Sequence, residues 1–310
     1  MNDHIVVSVS PHITTPQNTA SIMRDVCIGL MPALLVSVYV FGIRSLLITV
    51  VSVVTCVASE YVFSKLVRKP HHCNDLSAVV TGILFAFCLP PGIPVWTAVI
   101  GAILSIVVGK EIFGGVGHNP FNPALVGRAF LLASWPVPMT VWQNPVRSIT
   151  RGVDALSSAT PLVQMKTDTL AVTNLDLFLG QVSGCIGETS AAAILIGALY
   201  LFGRGIIRWH IPVSYVGTVA LLAGILGQDM VFHVFAGGLM LGAFFMATDY
   251  VTSPINPKGK IIFGIGCGVL TVLIRLYGGF PEGVCYAILL MNALVPLIDR
   301  YTQPVQYGVS

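Results

Sequence analysis

Asp154-Ala-Leu-Ser-Ser-Ala-Thr-Pro-Leu162 lies in the one long polar interval of the chain, with a hydrophobic half on either side of it. Thr160 stands among the small residues Ser157, Ser158 and Ala159. Pro161 has its φ fixed by its ring and disfavours helix at Thr160, so the sequence presents the Thr160 hydroxyl as exposed and reachable. Local composition alone fits equally a Ser/Thr-rich turn that bonds to its own backbone.

Outward from this stretch, composition sets the class. The 310 residues are 55% hydrophobic and only 9% charged, and the mean hydropathy is +0.85. A soluble domain carries roughly a quarter of charged residues, so the chain reads as a polytopic membrane protein. The net charge of +3 is too small to point to a nucleic-acid partner. Met1 to Arg24 is mostly polar and has no cleavable-signal pattern, so the first spanning helix is expected to act as its own insertion signal.

Crossing a bilayer takes about 17 to 25 residues. Candidate spans lie near 25–42, 45–66, 76–91, 94–110, 121–135, 190–204, 211–228, 231–250, 260–277 and 282–299, which predicts an all-α protein of about ten transmembrane helices. The third span ends in Pro90-Pro91-Gly92 and the fifth opens on Asn119-Pro-Phe-Asn-Pro123, so both are expected to be broken or partly re-entrant. The chain divides into a cytoplasmic segment (1–24), a first five-helix unit (25–135), an extracytoplasmic loop (136–189), a second five-helix unit (190–300) and a cytoplasmic tail (301–310). On the cytoplasmic side the short loops carry Lys65, Arg68, Lys69, Lys110, Arg204, Arg208, Lys258 and Lys260, against Arg44 and Arg275 opposite. This asymmetry places both ends inside and Thr160 outside.

The halves echo each other. Tyr39-Val-Phe-Gly42 matches Tyr200-Leu-Phe-Gly203, Gly82-Ile-Leu-Phe-Ala86 resembles Gly242-Ala-Phe-Phe-Met246, and Ile112-Phe-Gly-Gly115 resembles Leu276-Tyr-Gly-Gly279, at offsets of 161, 160 and 164 residues. Asn122-Pro-Ala-Leu-Val126 and Asn292-Ala-Leu-Val295 follow in the same order. An odd number of spans per unit makes the repeats inverted, with a site expected at their interface.

Ionisable groups within spans are functional candidates by default. Glu60 and Asp249 lie near cytoplasmic helix ends, where a side chain reaches the interface; Asp75, Glu111 and Arg128 lie in or beside other apolar segments. Two readings fit Arg128: a structural ion pair, or contact with a bound ligand. Asn122, at a proline-opened helix start, reads either as a cap or as part of a ligand pocket. The seven cysteines have no Cys-x-x-Cys spacing, and His71-His72-Cys73 reads as an ordinary loop, so no metal site is expected. Gly114-Gly115, Gly237-Gly238 and Gly264 to Gly268 read as close helix packing.

The Asp154–Leu162 stretch resembles the flavinylation motif of the D subunit of the Rnf electron-transport complex and of its relative, the B subunit of the sodium-translocating NADH:quinone reductase. The resemblance assigns Thr160 an FMN held through a phosphoester bond, with Ser158 in the cofactor-binding motif; Ser157 and Asp154, in the same set, are expected to assist recognition by a flavin transferase. Phe244-Phe-Met-Ala-Thr-Asp249 and Asn119 to Arg128 resemble signatures of the family's two halves, as does Ser10-Pro-His12. They bring Asp249, Asn122 and Arg128 into the expected cofactor surroundings. The resemblance further implies other members of the Rnf complex as partners, sodium ion or proton as the translocated ion, and location in a bacterial or archaeal cytoplasmic membrane. It allows a second, non-covalent flavin such as riboflavin, in the crevice between the repeats. No nicotinamide fingerprint occurs, so the chain is not expected to act alone. The competing readings are the B subunit of a quinone reductase, whose N-terminal region is generally longer, and a solute channel or secondary transporter built on the same inverted repeats.

Overall fold

The computed structural model describes residues 18–68, 75–143, 145, 159–167, 172–279 and 282–303, and the regular structure among them is helical. The first half holds α1 (Thr19–Phe41), α2 (Ile43–Val67), α3 (Ser77–Phe87), α4 (Val95–Ile106, which runs into a π-helical turn at Val107–Glu111), α5 (Pro123–Ser134) and a short α6 (Pro136–Thr140). Two short helices follow, α7 (Pro161–Lys166) and α8 (Asn174–Leu179). The second half holds α9 (Ala191–Gly203), α10 (His210–Ile225), α11 (Met230–Phe235), α12 (Leu239–Leu241, which runs into a π-helical turn at Gly242–Met246), α13 (Pro257–Tyr277) and α14 (Val284–Thr302). By length and apolar composition α1, α2, α13 and α14 can each cross a membrane; α3, α5, α9 and α10 are shorter apolar helices.

The packing is that of a protein dissolved in lipid. Large apolar side chains such as Leu35, Leu66, Leu199 and Ile225 are exposed, while Ser45, Ser52, Thr97 and Ser105 are buried. Small residues let helix backbones approach where water supplies no driving force. Gly264 and Gly268 of α13 face Ser214 and Thr218 of α10, and a Cβ on Gly264 would come within 1.9 Å of Ser214 Oγ. Here the expected close packing is present.

α3 lies at the centre, with every residue except Val79 buried. It stops at Phe87, ahead of Pro90 and Pro91, and its freed carbonyls are satisfied by a distant segment. Gly187 N–H donates to Phe87 O and Ile186 N–H to Leu89 O, both at 2.9 Å. Residues 182–189, within the interval expected to form an outer loop, are thus largely folded into the helical body. Irregular backbone at this depth is tolerated because protein covers it.

The second half contains a break that the sequence reading assigned to packing. Gly237 has φ +65 and, with Ala236 and Gly238, it separates α11 from α12. Only a residue without Cβ adopts that conformation at little cost. The Gly237-Gly238 pair therefore divides one apolar run into two half-helices.

Candidate functional site at the two ends of α3

The residues singled out in the sequence gather at two places. Thr160 is extended (φ −63, ψ 156) and caps α7, its Oγ1 accepting the Val163 N–H at 3.4 Å. It is 4% exposed, which overturns the expectation of an exposed hydroxyl. Capping turns the side chain inward, and Leu162 packs with Leu177, Val182 and Phe232 in a small core of its own. Thr160 nevertheless borders a small pocket of about 10 Å³, room for about one water, together with Ser183, Gly184, Glu188, Gly237 and Glu282. Asp154, Ser157 and Ser158 lie outside the described residues, as does the His71-His72-Cys73 cluster.

Glu188 and Glu282 tie this cavity to α5. Arg128 Nη1 is 3.1 Å from Glu188 Oε1, and Nη2 pairs with Glu282 Oε2. The side chains of Arg128, Glu188 and Glu282 are 9%, 4% and 12% exposed. Arg128 also donates to Cys185 Sγ at 3.6 Å. Donor atoms of Cys185, Glu188 and Glu282 lie within 4.8 Å of one another, and Arg128 pairs with both carboxylates. Arg128 is thus ion-paired and stands one side chain behind the Thr160 cavity.

A second buried guanidinium completes the arrangement. Arg275 is 0% exposed and donates to three backbone carbonyls: His233 O at 2.6 Å, Ala236 O at 2.8 Å and Glu282 O at 3.1 Å. The first two lie at the C-terminal end of α11, where a cation complements the helix dipole. Glu188 stands at the other side of the break, its Oε1 2.6 Å from where a Cβ on Gly238 would lie, just before α12 begins. Each half-helix end therefore meets the charge it favours.

At the opposite end of α3, on the order of 15 Å away along its axis, a cleft of about 820 Å³ including its open mouth is lined by Ser77, Thr81, Lys110, Asn119, Asn122 and Asp249 among apolar side chains. Asn122 caps α5 by accepting the Ala124 N–H (3.1 Å), and its Nδ2 donates to Met246 O at 3.2 Å. In the amide orientation that satisfies its neighbours, Asn292 accepts the Asn122 backbone N–H (3.1 Å) and donates to Thr252 O (3.1 Å). The two asparagines matched by the sequence echo thus meet between the halves. Asp249 accepts from Thr252 Oγ1 at 3.1 Å.

Two expectations about charge change here. Glu60 does not reach an interface: it is 2% exposed, and its Oε1 accepts from Lys110 Nζ at 2.7 Å. Lys110 is also 2% exposed and donates to Ser77 Oγ at 2.6 Å. Neither Lys110 nor Arg275 therefore belongs to the loop charges counted for orientation. The remaining basic residues keep the same asymmetry. Sequence reasoning missed Glu188, Glu282 and the Glu60–Lys110 pair. Single acidic residues in Gly-rich segments gave no pattern, and their partners are 50 to 154 positions away.

Comparison with known proteins places the chain among membrane redox subunits. Residues 6–308 match the family model described as the NQR2, RnfD, RnfE family. The chain is similar to the D subunit of the Na(+)-translocating ferredoxin:NAD(+) oxidoreductase complex of Acetobacterium woodii, with 52% identity over all of this chain and 98% of that one. It is 46% identical to the D subunit of the proton-translocating ferredoxin:NAD(+) oxidoreductase complex of Clostridium ljungdahlii, covering 97% of this chain and 96% of that one. The D subunit of the ion-translocating oxidoreductase complex of Alcanivorax borkumensis is 38% identical, covering 98% and 97%.

Proposed function

Because the chain belongs to the NQR2, RnfD, RnfE family, we propose that it is the D subunit of an ion-translocating ferredoxin:NAD(+) oxidoreductase complex and carries electrons through an FMN bonded to Thr160. It is a multi-pass membrane protein and one component of an assembly, as its relatives' names state for them. The single observation that carries the flavin reading is Thr160 itself, the threonine of the Ser-Ser-Ala-Thr stretch, set on the wall of a cavity. Beside it Gly184 leaves open space, where a Cβ would meet nothing within 4 Å.

When bound, FMN supplies one- and two-electron chemistry that no side chain here provides. The chain's own residues hold and surround it. Thr160 supplies the ester oxygen, Pro161 and Leu162 anchor the tether in the small core, and Glu188 and Glu282 close the inner wall. The cleft at the other end of α3 suits a second, non-covalent flavin, with Asn119, Thr81 and Asp249 as polar contacts in an apolar slot. Two flavins at opposite ends of α3 would let electrons pass between the membrane faces.

The finer architecture belongs to the same reading: ten spans in two inverted five-helix repeats, both termini cytoplasmic, and Thr160 on the outer side in the interval between the repeats. The meeting of Asn122 with Asn292 supports the repeats. A flavin transferase matures the chain through Asp154 and Ser157, and the translocated ion is sodium or a proton.

The test is complementation. Membranes from a host lacking its own D subunit and supplied with this chain should regain NAD+ reduction by reduced ferredoxin and the accompanying ion uptake into inverted vesicles. Activity that stays at the level of the deletion strain, with the chain present in the membrane, contradicts the reading.

A further inference from the structure

Helices α10 and α13 run side by side in the same direction. Gly264 faces Ser214 and Gly268 faces Thr218, so residue numbers rise together along the contact. Their N-terminal ends, each carrying partial positive charge, therefore lie together at one end of the pair. Neither start has a side-chain cap: Trp209 precedes α10, and Asn256, before α13, gives its amide to Thr302 O at 3.1 Å instead. Arg208 and Lys260 add two full positive charges at the same place.

Both starts border a cavity of about 380 Å³, lined by Arg208, Ile211, Thr248, Tyr250, Ser253 and Lys260 among others. One water takes a share of about 30 Å³, so the space holds a far larger group. Among the described residues neither Arg208 nor Lys260 forms an ion pair. The carboxylate that acts on Lys260 is Asp299, and it accepts the Ile255 N–H at 3.1 Å. Two of the three hydroxyls have committed their protons, Thr248 to Phe244 O and Tyr250 to Ile206 O. The third belongs to Ser253, which is 6% exposed, lines the cavity and has no hydrogen-bond partner among the described residues. A buried hydroxyl left this way calls for a ligand. Two cations, that hydroxyl and two helix starts converge on one space, a lining that suits an oxyanion.

We propose that this cavity binds the phosphate of an anionic phospholipid, with Arg208, Lys260 and Ser253 as its contacts. The depth of the site favours a lipid as the source. Trp209 and Tyr250 are exposed beside it, Trp209 stacked on His210 with ring centroids 4.2 Å apart, and such rings gather where hydrocarbon meets headgroups. Ile255, Ile261 and Ile262 are exposed next to the basic residues and offer acyl chains an apolar surface. Basic pockets between spanning helices hold anionic headgroups through the same combination. A bound headgroup joins the start of α10 to the start of α13 and neutralises two like charges that act on each other. Nothing in this site depends on what Thr160 carries.

The test is lipid retention by the full chain, purified in detergent and read by native mass spectrometry, with thermal unfolding alongside. The probes are phosphatidylglycerol, diacylglycerol with the same acyl chains, and inorganic phosphate. Wild type should retain phosphatidylglycerol in preference to diacylglycerol and unfold at a higher temperature with it. Arg208→Gln/Lys260→Gln should weaken retention about 30-fold, the loss of two basic contacts, and should erase the temperature shift. Lys258→Gln, on the same face but outside the cavity, should keep both. Arg208→Lys/Lys260→Arg preserves the charge and should preserve most of the retention. Should the neutral pair fail to fold, Ser253→Ala removes only the hydroxyl and should still weaken retention. Equal retention by wild type and Arg208→Gln/Lys260→Gln, or no preference for phosphatidylglycerol over diacylglycerol, overturns the inference. So does a charge-preserving pair that loses as much as the neutral one. Inorganic phosphate that raises the unfolding temperature as far as the phospholipid does overturns the lipid as the source.

Discussion

Arg128 Nη1 lies 3.1 Å from Glu188 Oε1, joining α5 to a segment 60 residues later with both side chains more than nine-tenths buried. Removing one partner of such a pair leaves an uncompensated charge and costs about 3–5 kcal/mol. Arg128→Met is expected to lose at least that much, since it strands Glu188 and Glu282 together. Arg128→Lys should recover little, because an ammonium lacks the planar fork that reaches both carboxylates. Thermal unfolding in detergent, followed by size-exclusion fluorescence, measures both.

The Glu60–Lys110 pair gives an independent test on the far side of the protein. Glu60→Gln or Lys110→Met alone should each destabilise by about 3–5 kcal/mol, and the double variant by less than the sum. Costs that simply add would show that the 2.7 Å contact carries no coupling.

The α10–α13 crossing tests the small-residue packing. Gly264→Val has no space beside Ser214 and should cost about 1–3 kcal/mol by overpacking. The companion Ser214→Ala/Gly264→Ala is expected to recover part of the loss, read by the same unfolding assay.

Asp229 provides a pH prediction outside the spans. Hydrogen bonds from Asn174 and from the backbone N–H groups of Phe232 and Val231 lower its pKa below the usual carboxylate value. A depressed folded value means that the stabilisation is present above the ordinary carboxylate range and fades as pH falls through the depressed one. The exchange protection of Val231 and Phe232, relative to the intrinsic rate at each pH, should therefore fall in acid, and Asp229→Ala, which removes the cap of α11, should abolish that pH dependence.

Most of the helical scaffold was legible in the sequence, because lipid leaves little choice: each apolar run must close its own hydrogen bonds as a helix. The break at Pro90-Pro91 was legible for the same local reason. Less so was the break at Gly237, whose signal is two glycines that serve equally as a packing surface. Thr160 was found by its motif, but its burial was not, since that depends on Leu162 joining Leu177 and Phe232. Glu188 and Glu282 were invisible because their importance lies in Arg128, brought to them from 60 and 154 positions away. Charge pairing across such distances is written in tertiary structure alone.

The most direct measurement is in-gel flavin fluorescence after denaturation, comparing wild type with Thr160→Val, each co-expressed with a flavin transferase. Denaturation strips every non-covalent ligand, so a fluorescent band reports a bond. The account predicts a band in wild type that is absent from Thr160→Val, with equal amounts of both chains in the membrane. A wild-type chain without a band, or a Thr160→Val chain that keeps one, would contradict it.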